Sequence, residues 1–377
     1  MLRSIAPLIQ ADLPRKLVLL TGPRQVGKTT LARHLGEAAG YATYLNWDVP
    51  ADRAVLQRQS WPVSSRLLVF DEIHKMAGWK SWLKGVVDGR PAGQQLLVTG
   101  SARMETFRQS GDSLAGRYFA YRLHPVSVRE WCEASQVTPQ QALDHLLQRG
   151  GFPEPCLADD AIQAERWRAQ YLTDLVREDV LEFSRVQEIG AMRLFVEVLR
   201  DRVGSPLSLA SIARDLAISP TTLQRYLDIL RALFIVFTVQ PWHRNIARAL
   251  LQAPKVYFFD TGLVRGGDGP RLENAVAAML LKHVHWLSDA RGRQASLHYV
   301  RTKDGAEVDF AVAEEGGLTQ LVECKWADAH PHRALTRFAL ELPQTRAVQI
   351  VKELRQEEDL GRVQIRQASA WLAELAA

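Results

Sequence analysis

A chain of 377 residues, 47% hydrophobic and 24% charged, has the make-up of a folded protein of two or three domains, not of a disordered or fibrous one. No stretch approaches the ~18 consecutive apolar residues of a membrane span, and Asp12, Pro14 and Arg15 interrupt any secretory pattern at the start. The net charge of +5 permits a nucleic-acid partner without requiring one, and Cys132, Cys156 and Cys324 are too dispersed for a metal or redox motif and fit a reducing cytoplasm.

The first predicted element is a short apolar strand, Leu17–Leu20, running into Gly22-Pro23-Arg24-Gln25-Val26-Gly27-Lys28-Thr29-Thr30. This is G-x-x-x-x-G-K-T, a phosphate-binding loop. Gly22 and Gly27 let the backbone turn and aim its N–H groups at one point, and the helix that follows adds the positive end of its dipole. Lys28 is placed to reach the terminal phosphates of ATP, and the Thr29 hydroxyl to ligate Mg²⁺.

Thr43–Leu45, Leu67–Phe70 and Gln95–Thr99 read as further buried strands, each followed by a helix or turn. Such alternation predicts α/β architecture with a parallel sheet covered by helices. The strand Leu67–Phe70 ends in Asp71-Glu72. Adjacent strand residues point to opposite faces, so Asp71 is assigned to the Mg²⁺ shell and Glu72 to the attacking water. Ser101 or Thr99, at the tip of the next strand, is assigned either to the water or γ-phosphate, or to a plain turn. Arg117, within Ser113-Leu114-Ala115-Gly116-Arg117, is assigned either as an arginine finger or as a surface ion pair.

A glycine- and proline-rich cluster, Gly150 to Pro155, predicts a domain break near residue 150. Helical periodicity fills 162–203. Leu209–Leu216 and Pro220–Leu230 read as two short helices, with Ser219 as N-cap of the second, and Phe234–Val239 as a strand. Helix, turn, helix and strand predict a winged helix-turn-helix. Thr221, Thr222, Gln224 and Arg225 would face DNA from the second helix. Residues 206–260 carry six Arg or Lys against three Asp, which favours such a partner. The module would otherwise only pack the neighbouring domains.

The last third returns to strands: Val256–Phe259, Leu297–Arg301, Glu307–Val312, Thr319–Cys324 and Ala347–Val351, with a helix over Asn274–His283. Asp309 lies on one strand of a predicted hairpin and Glu323 and Lys325 share a face of the other. Two carboxylates with a neighbouring lysine can bind Mg²⁺ and stabilise charge, or can be ordinary alternation on a half-buried strand.

GPRQVGKTT, FDEIHKMAGWKSWLK, LLVTGSARM, SLAGRYFAYRLHPVSVREW and GGFPEP, in that order, together resemble the AAA-superfamily ATPases that carry a C-terminal domain of unknown function. The resemblance covers nearly the whole chain. It implies an AAA-type ATPase core over 1–150, a helical lid over 151–205, the winged helix-turn-helix over 206–253, and a domain similar to restriction endonucleases over 254–377. The D…E-x-K arrangement is similar to the PD-(D/E)xK nuclease site, with Glu273 matching the upstream acid. The resemblance further implies homo-oligomers, a hexameric ring among them; Arg166 and Arg177 are candidate lid sensors. Two functions follow as expectations. One is Mg²⁺-dependent ATP hydrolysis coupled to binding or remodelling DNA, including branched DNA, with metal-dependent cleavage by the C-terminal domain. The other is a nucleotide-gated regulatory or defence switch acting through protein partners.

Overall fold

The computed structural model describes residues 1, 3–100, 114–175, 189–242 and 253–376. Ser101 and Arg177 lie outside them. The chain divides into two compact units, Met1–His124 with Ala232–Phe234, and Pro125–Arg231 with Ile235–Ala377.

The first unit is built on five described parallel strands: β1 (Leu17–Thr21), β2 (Ala42–Asn46), β3 (Leu67–Asp71), β4 (Gln95–Thr99) and β5 (Tyr118–Arg122). They lie in the order β2-β3-β4-β1-β5. Continuous apolar runs make β1 and β3 buried along their whole length, as strands covered on both faces must be. Leu17, Leu19, Leu68, Phe70, Leu96 and Val98 form the core with Trp79, Leu83 and Val86 of the helix Trp79–Gly89. Trp61 and Trp82 pack on Phe70 with ring centroids 5.3 and 5.5 Å away. Because β1 is flanked by β4 and β5, the chain leaves its C-terminal end where the strand order reverses, the usual position of a ligand crevice. The strand β5 extends the predicted sheet on the far side of β1.

The second unit carries eight described strands: β6 (Val236–Pro241), β7 (Lys255–Phe258), β8 (Ala295–Arg301), β9 (Glu307–Glu314), β10 (Gly317–Lys325), β11 (Arg346–Val351), β12 (Glu358–Leu360) and β13 (Val363–Gln367). Their order is β12-β13-β11-β10-β9-β8-β6-β7. The hairpin expected for Asp309 and Glu323 is present: β9 and β10 are antiparallel, with Val322 opposite Phe310. The helix predicted over Asn274–His283 runs from Asp268 to Arg291 and stops at Gly292, which takes the left-handed conformation (φ 66°).

The compact units do not follow two of the expected boundaries. The first unit closes at His124, not near residue 150. Helices Val128–Ser135 and Pro139–Arg149, each opened by a capping box, belong to the second unit. Lys282 forms a buried ion pair with Glu130 at 2.6 Å and also donates to Ser127 Oγ at 3.2 Å. Gly150 and Gly151 are glycines for close packing, not for a linker. A Cβ at Gly150 would stand 2.0 Å from Asp260 Oδ1, and one at Gly151 2.9 Å from the Val126 carbonyl.

Nor is the strand after the two short helices a separate module. β6 pairs with β7 antiparallel and with β8 in parallel through Gln240–His298 and Pro241–Tyr299, so it is part of the eight-stranded sheet. Apart from Ala232–Phe234, the described residues of 151–205, 206–253 and 254–377 fall in one compact unit.

Candidate functional site

The phosphate loop begins where β1 ends. Gly22 has φ 150°, and a Cβ there would lie 2.3 Å from the Leu123 carbonyl oxygen, so no side chain fits. Gln25 and Gly27 also take positive φ (59° and 99°), and the helix Lys28–Ala39 starts immediately after. Arg3 donates to the carbonyls of Val26, at 3.0 Å, and His124, tying the N-terminal segment to the loop. Pro23 and Val26 are buried, Arg24 and Thr29 half-buried, and Gln25 and Thr30 exposed.

Lys28 is 8% exposed and donates from Nζ to the carbonyls of Gly22 (3.0 Å) and Pro23 (2.6 Å). Burial pulls its pKa down to about 8, against the opposing pull of Glu72 and Asp71. A buried ammonium hydrogen-bonded to loop carbonyls is well placed to take up an anion.

Asp71, at the end of β3, is 6% exposed. Thr29 Oγ1 lies 3.3 Å from its Oδ2, and Thr99 Oγ1 donates to its Oδ1 at 2.5 Å. The Tyr44 hydroxyl also donates to Oδ2. Register explains the convergence: Asn46, Asp71 and Thr99 are level across β2, β3 and β4. Thr29 and Asp71 are thus placed to share one cation, and their oxygen donors suit Mg²⁺. Glu72 adopts a left-handed conformation (φ 55°). Its Oε2 is 3.6 Å from both Lys75 Nζ and His74 Nε2, and burial raises its pKa.

Arg117 is held in a two-pronged ion pair with Asp88 (2.8 and 3.2 Å). Of its two expected roles the structure displays the ion pair. Tyr44 and Arg3 escaped sequence reasoning because nothing local marks them; only strand register and the return of the N-terminal segment bring them to the site.

In the second unit, Glu273, Asp309, Glu323 and Lys325 do come together. Asp309 N–H donates to Glu323 Oε2 (3.3 Å), and Lys325 Nζ lies 2.7 Å from Glu323 Oε1. His332 Nδ1 is 3.2 Å from the same oxygen. Burial, then repulsion from Glu323, pushes Asp309 up to about 6; burial, then Asp309, raises Glu273.

The residue sequence reasoning missed here is Lys255. Its ammonium is 2.7 Å from Glu307, 3.3 Å from Glu273 and 3.7 Å from Asp309. Burial alone would lower its pKa, but Glu273, Asp309 and Glu307 together hold it above the ordinary value. Among the described residues, no group of three or more His, Cys, Asp and Glu is disposed to hold a metal ion.

On the helix Pro220–Ala232, Ser219 Oγ accepts from Thr222 N–H at 3.1 Å, which is the expected N-cap. Thr221, Gln224 and Arg225 are exposed, Thr222 half-buried. Asp228 takes hydrogen bonds from Gln224 (3.1 Å) and Arg231 (3.3 Å) on the same outer face.

Comparison with known proteins agrees with the N-terminal chemistry. Residues 14–132 match the AAA domain, 140–266 a domain of unknown function (DUF8612), and 268–369 a domain of unknown function (DUF4143). The chain is similar to the uncharacterized protein Rv2008c of Mycobacterium tuberculosis, at 31% identity over 312 residues, 80% of this chain and 68% of that protein. An uncharacterized protein of Haemophilus influenzae is 25% identical over 326 residues, 78% of each chain. Among solved structures, a Thermotoga maritima RuvB variant aligns at 18% identity and a TM-score of 0.32, covering 62% of this chain and 86% of that one.

Proposed function

This chain belongs to the same family as Rv2008c of Mycobacterium tuberculosis, and from that premise we propose that it is a Mg²⁺-dependent ATPase whose turnover is coupled to DNA. The observation that carries the ATPase is the 3.3 Å separation of Thr29 Oγ1 and Asp71 Oδ2 beside a buried Lys28. Bound Mg²⁺ would neutralise phosphate charge and organise the transferring group. Gly22 to Thr30 supply the main-chain donors, and Lys28 exchanges its two carbonyl partners for phosphate oxygens. Thr29 and Asp71 hold the metal, Thr99 and Tyr44 fix the Asp71 carboxylate, and Glu72 orients the attacking water. Burial raises the proton affinity of Glu72, which suits a group that must take a proton from water near neutrality.

Coupling to DNA is supported by the exposed Thr221, Gln224 and Arg225 on the second of two short helices. These residue types contact phosphates and base edges. Arg117 would act across a subunit boundary in a homo-oligomer once released from Asp88.

The second reading, a nucleotide-gated switch with a protein partner, is favoured by Asp228. It already occupies Gln224 and Arg231 and so weakens that helix face for phosphate. The two readings are separated by phosphate release measured with single-stranded, duplex and branched DNA. A DNA-coupled ATPase is stimulated severalfold, and salt abolishes the stimulation. A rate that ignores every DNA form selects the switch. Parent-level hydrolysis by Lys28→Ala would end both.

A further inference from the structure

Acids on and beside the eight-stranded sheet form a cluster around Lys255. Glu273 comes from the helix Asp268–Arg291, Glu307 and Asp309 from β9, and Lys255 from β7. Lys255 is 1% exposed, with its ammonium 2.7 to 3.7 Å from an oxygen of each of these carboxylates. The lysine is fixed from several directions. Its backbone pairs with Val239 of β6, Pro206 bridges to it, and its Nζ stands 5.4 Å from the centre of the Tyr299 ring.

Several of the carboxylate oxygens have further partners. Tyr257 donates its hydroxyl proton to Glu273 Oε1 at 2.7 Å, and Cys324 N–H donates to Asp309 Oδ2 at 3.0 Å. Arg301 is 3.0 Å from Glu307 Oε2. Gly204 closes over Glu273 so tightly that a Cβ there would lie 2.5 Å from Oε2. A hard divalent cation needs several oxygens converging at about 2.0–2.5 Å. Here the point on which three carboxylates converge is already held by an ammonium, and a second cation beside it would be repelled at close range in a poorly solvated site.

We infer that Lys255 is the resident cation of this carboxylate cluster, an internal ammonium that takes Glu273, Glu307 and Asp309 in place of a divalent metal, so that the wild-type sheet neither binds Mg²⁺ or Mn²⁺ at these acids nor cleaves DNA with them. The inference is independent of the ATPase, which uses a different unit.

The test uses the full chain carrying Asp71→Asn, which removes the metal ligand of the AAA domain from the measurement. Mn²⁺ is titrated and free ion is read by electron paramagnetic resonance. With Lys255 intact, Asp309→Asn is expected to leave the isotherm unchanged. Lys255→Met is expected to add a Mn²⁺ site that disappears again on combining it with Asp309→Asn. Mn²⁺ binding that depends on Asp309 while Lys255 is present overturns the inference. So does a Lys255→Met chain that melts cooperatively yet gains no site. Should Lys255→Met not fold because three acids are left facing one another, Lys255→Met with Glu307→Gln relieves that repulsion and retains Glu273 and Asp309 for the metal. The comparison with Lys255 intact decides the matter whether or not either variant folds.

Discussion

Thr99 Oγ1 donates to Asp71 Oδ1 at 2.5 Å while Thr29 Oγ1 stands 3.3 Å from Oδ2, so the two oxygens of one carboxylate have different duties. One is anchored to the sheet and the other faces the phosphate loop. Asp71→Asn keeps the shape but removes the charge that would hold a cation. It is expected to lower Mg²⁺-dependent phosphate release on the order of 10²-fold, with a far smaller loss in metal-free nucleotide binding. An unchanged rate would remove Asp71 from the metal shell.

Lys28 gives a pH prediction. Its pKa in the nucleotide-free fold is about 8, below the 10.5 of an unfolded lysine. Folding therefore favours loss of its proton between about pH 8 and 10.5, so its unfavourable contribution to stability is greatest below that window and relieved as pH rises through it. Nucleotide binding needs the protonated form. Affinity for a fluorescent ATP analogue should be flat below pH 8 and fall up to tenfold per unit above it. Lys28→Met should abolish that binding and yet melt no lower than the parent at pH 7, because a buried charge is gone.

Gly22→Ala places a methyl group 2.3 Å from the Leu123 carbonyl oxygen and asks alanine to adopt φ 150°. Both effects act on the loop. A fall in melting temperature of several degrees and loss of nucleotide binding are expected. An alanine variant that binds ATP normally would show that the loop tolerates a different path.

Lys282 and Glu130 are 5% and 1% exposed and 2.6 Å apart. Lys282→Met removes the ammonium facing a buried carboxylate and is expected to cost about 3–5 kcal/mol in urea unfolding. Adding Glu130→Leu should recover much of that loss, since an apolar pair replaces an ionic one. Equal destabilisation by the single and double variants would mean that the lysine acts through Ser127 instead.

Arg117→Ala separates an ion pair from a role in phosphoryl transfer. An arginine acting on the transferring group is expected to be worth on the order of 10³-fold in kcat. Mixing Arg117→Ala with Lys28→Ala should then restore part of the activity if the residue works between subunits. A kcat unchanged by the substitution confines Arg117 to its contact with Asp88.

The ATP site was legible because its signals are local. Gly22, Gly27, Lys28 and Thr29 sit within one turn, and Asp71 ends an unbroken apolar strand whose type needs no partner to identify it. Tyr44 and Lys255 were not legible, since each acquires its role from strands far away in the chain. β5 was not predicted as a strand because Tyr118–Arg122 is only half-buried at most positions and lacks the apolar run of its neighbours. β12 is fully exposed, so no alternation marks it. The break expected near residue 150 differs from the end of the first compact unit for another reason: glycines that permit tight packing read in sequence like glycines that permit a bend. The D…E-x-K spacing brought Asp309 and Glu323 together, but spacing cannot reveal that a lysine from another strand lies against Asp309, Glu273 and Glu307.

The parallel pairing of β6 with β8 has a practical outcome for anyone dissecting this molecule. Trp242 N–H bonds the Tyr299 carbonyl at 2.7 Å and closes the seam that Gln240 and Pro241 begin. A fragment starting at residue 254 would strip that neighbour away and leave β8 with bare main-chain donors and acceptors along a flank it never shows in the whole protein. Such a fragment would seek another chain to complete itself and turn up as aggregate, while one starting before Val236 would keep its own seam.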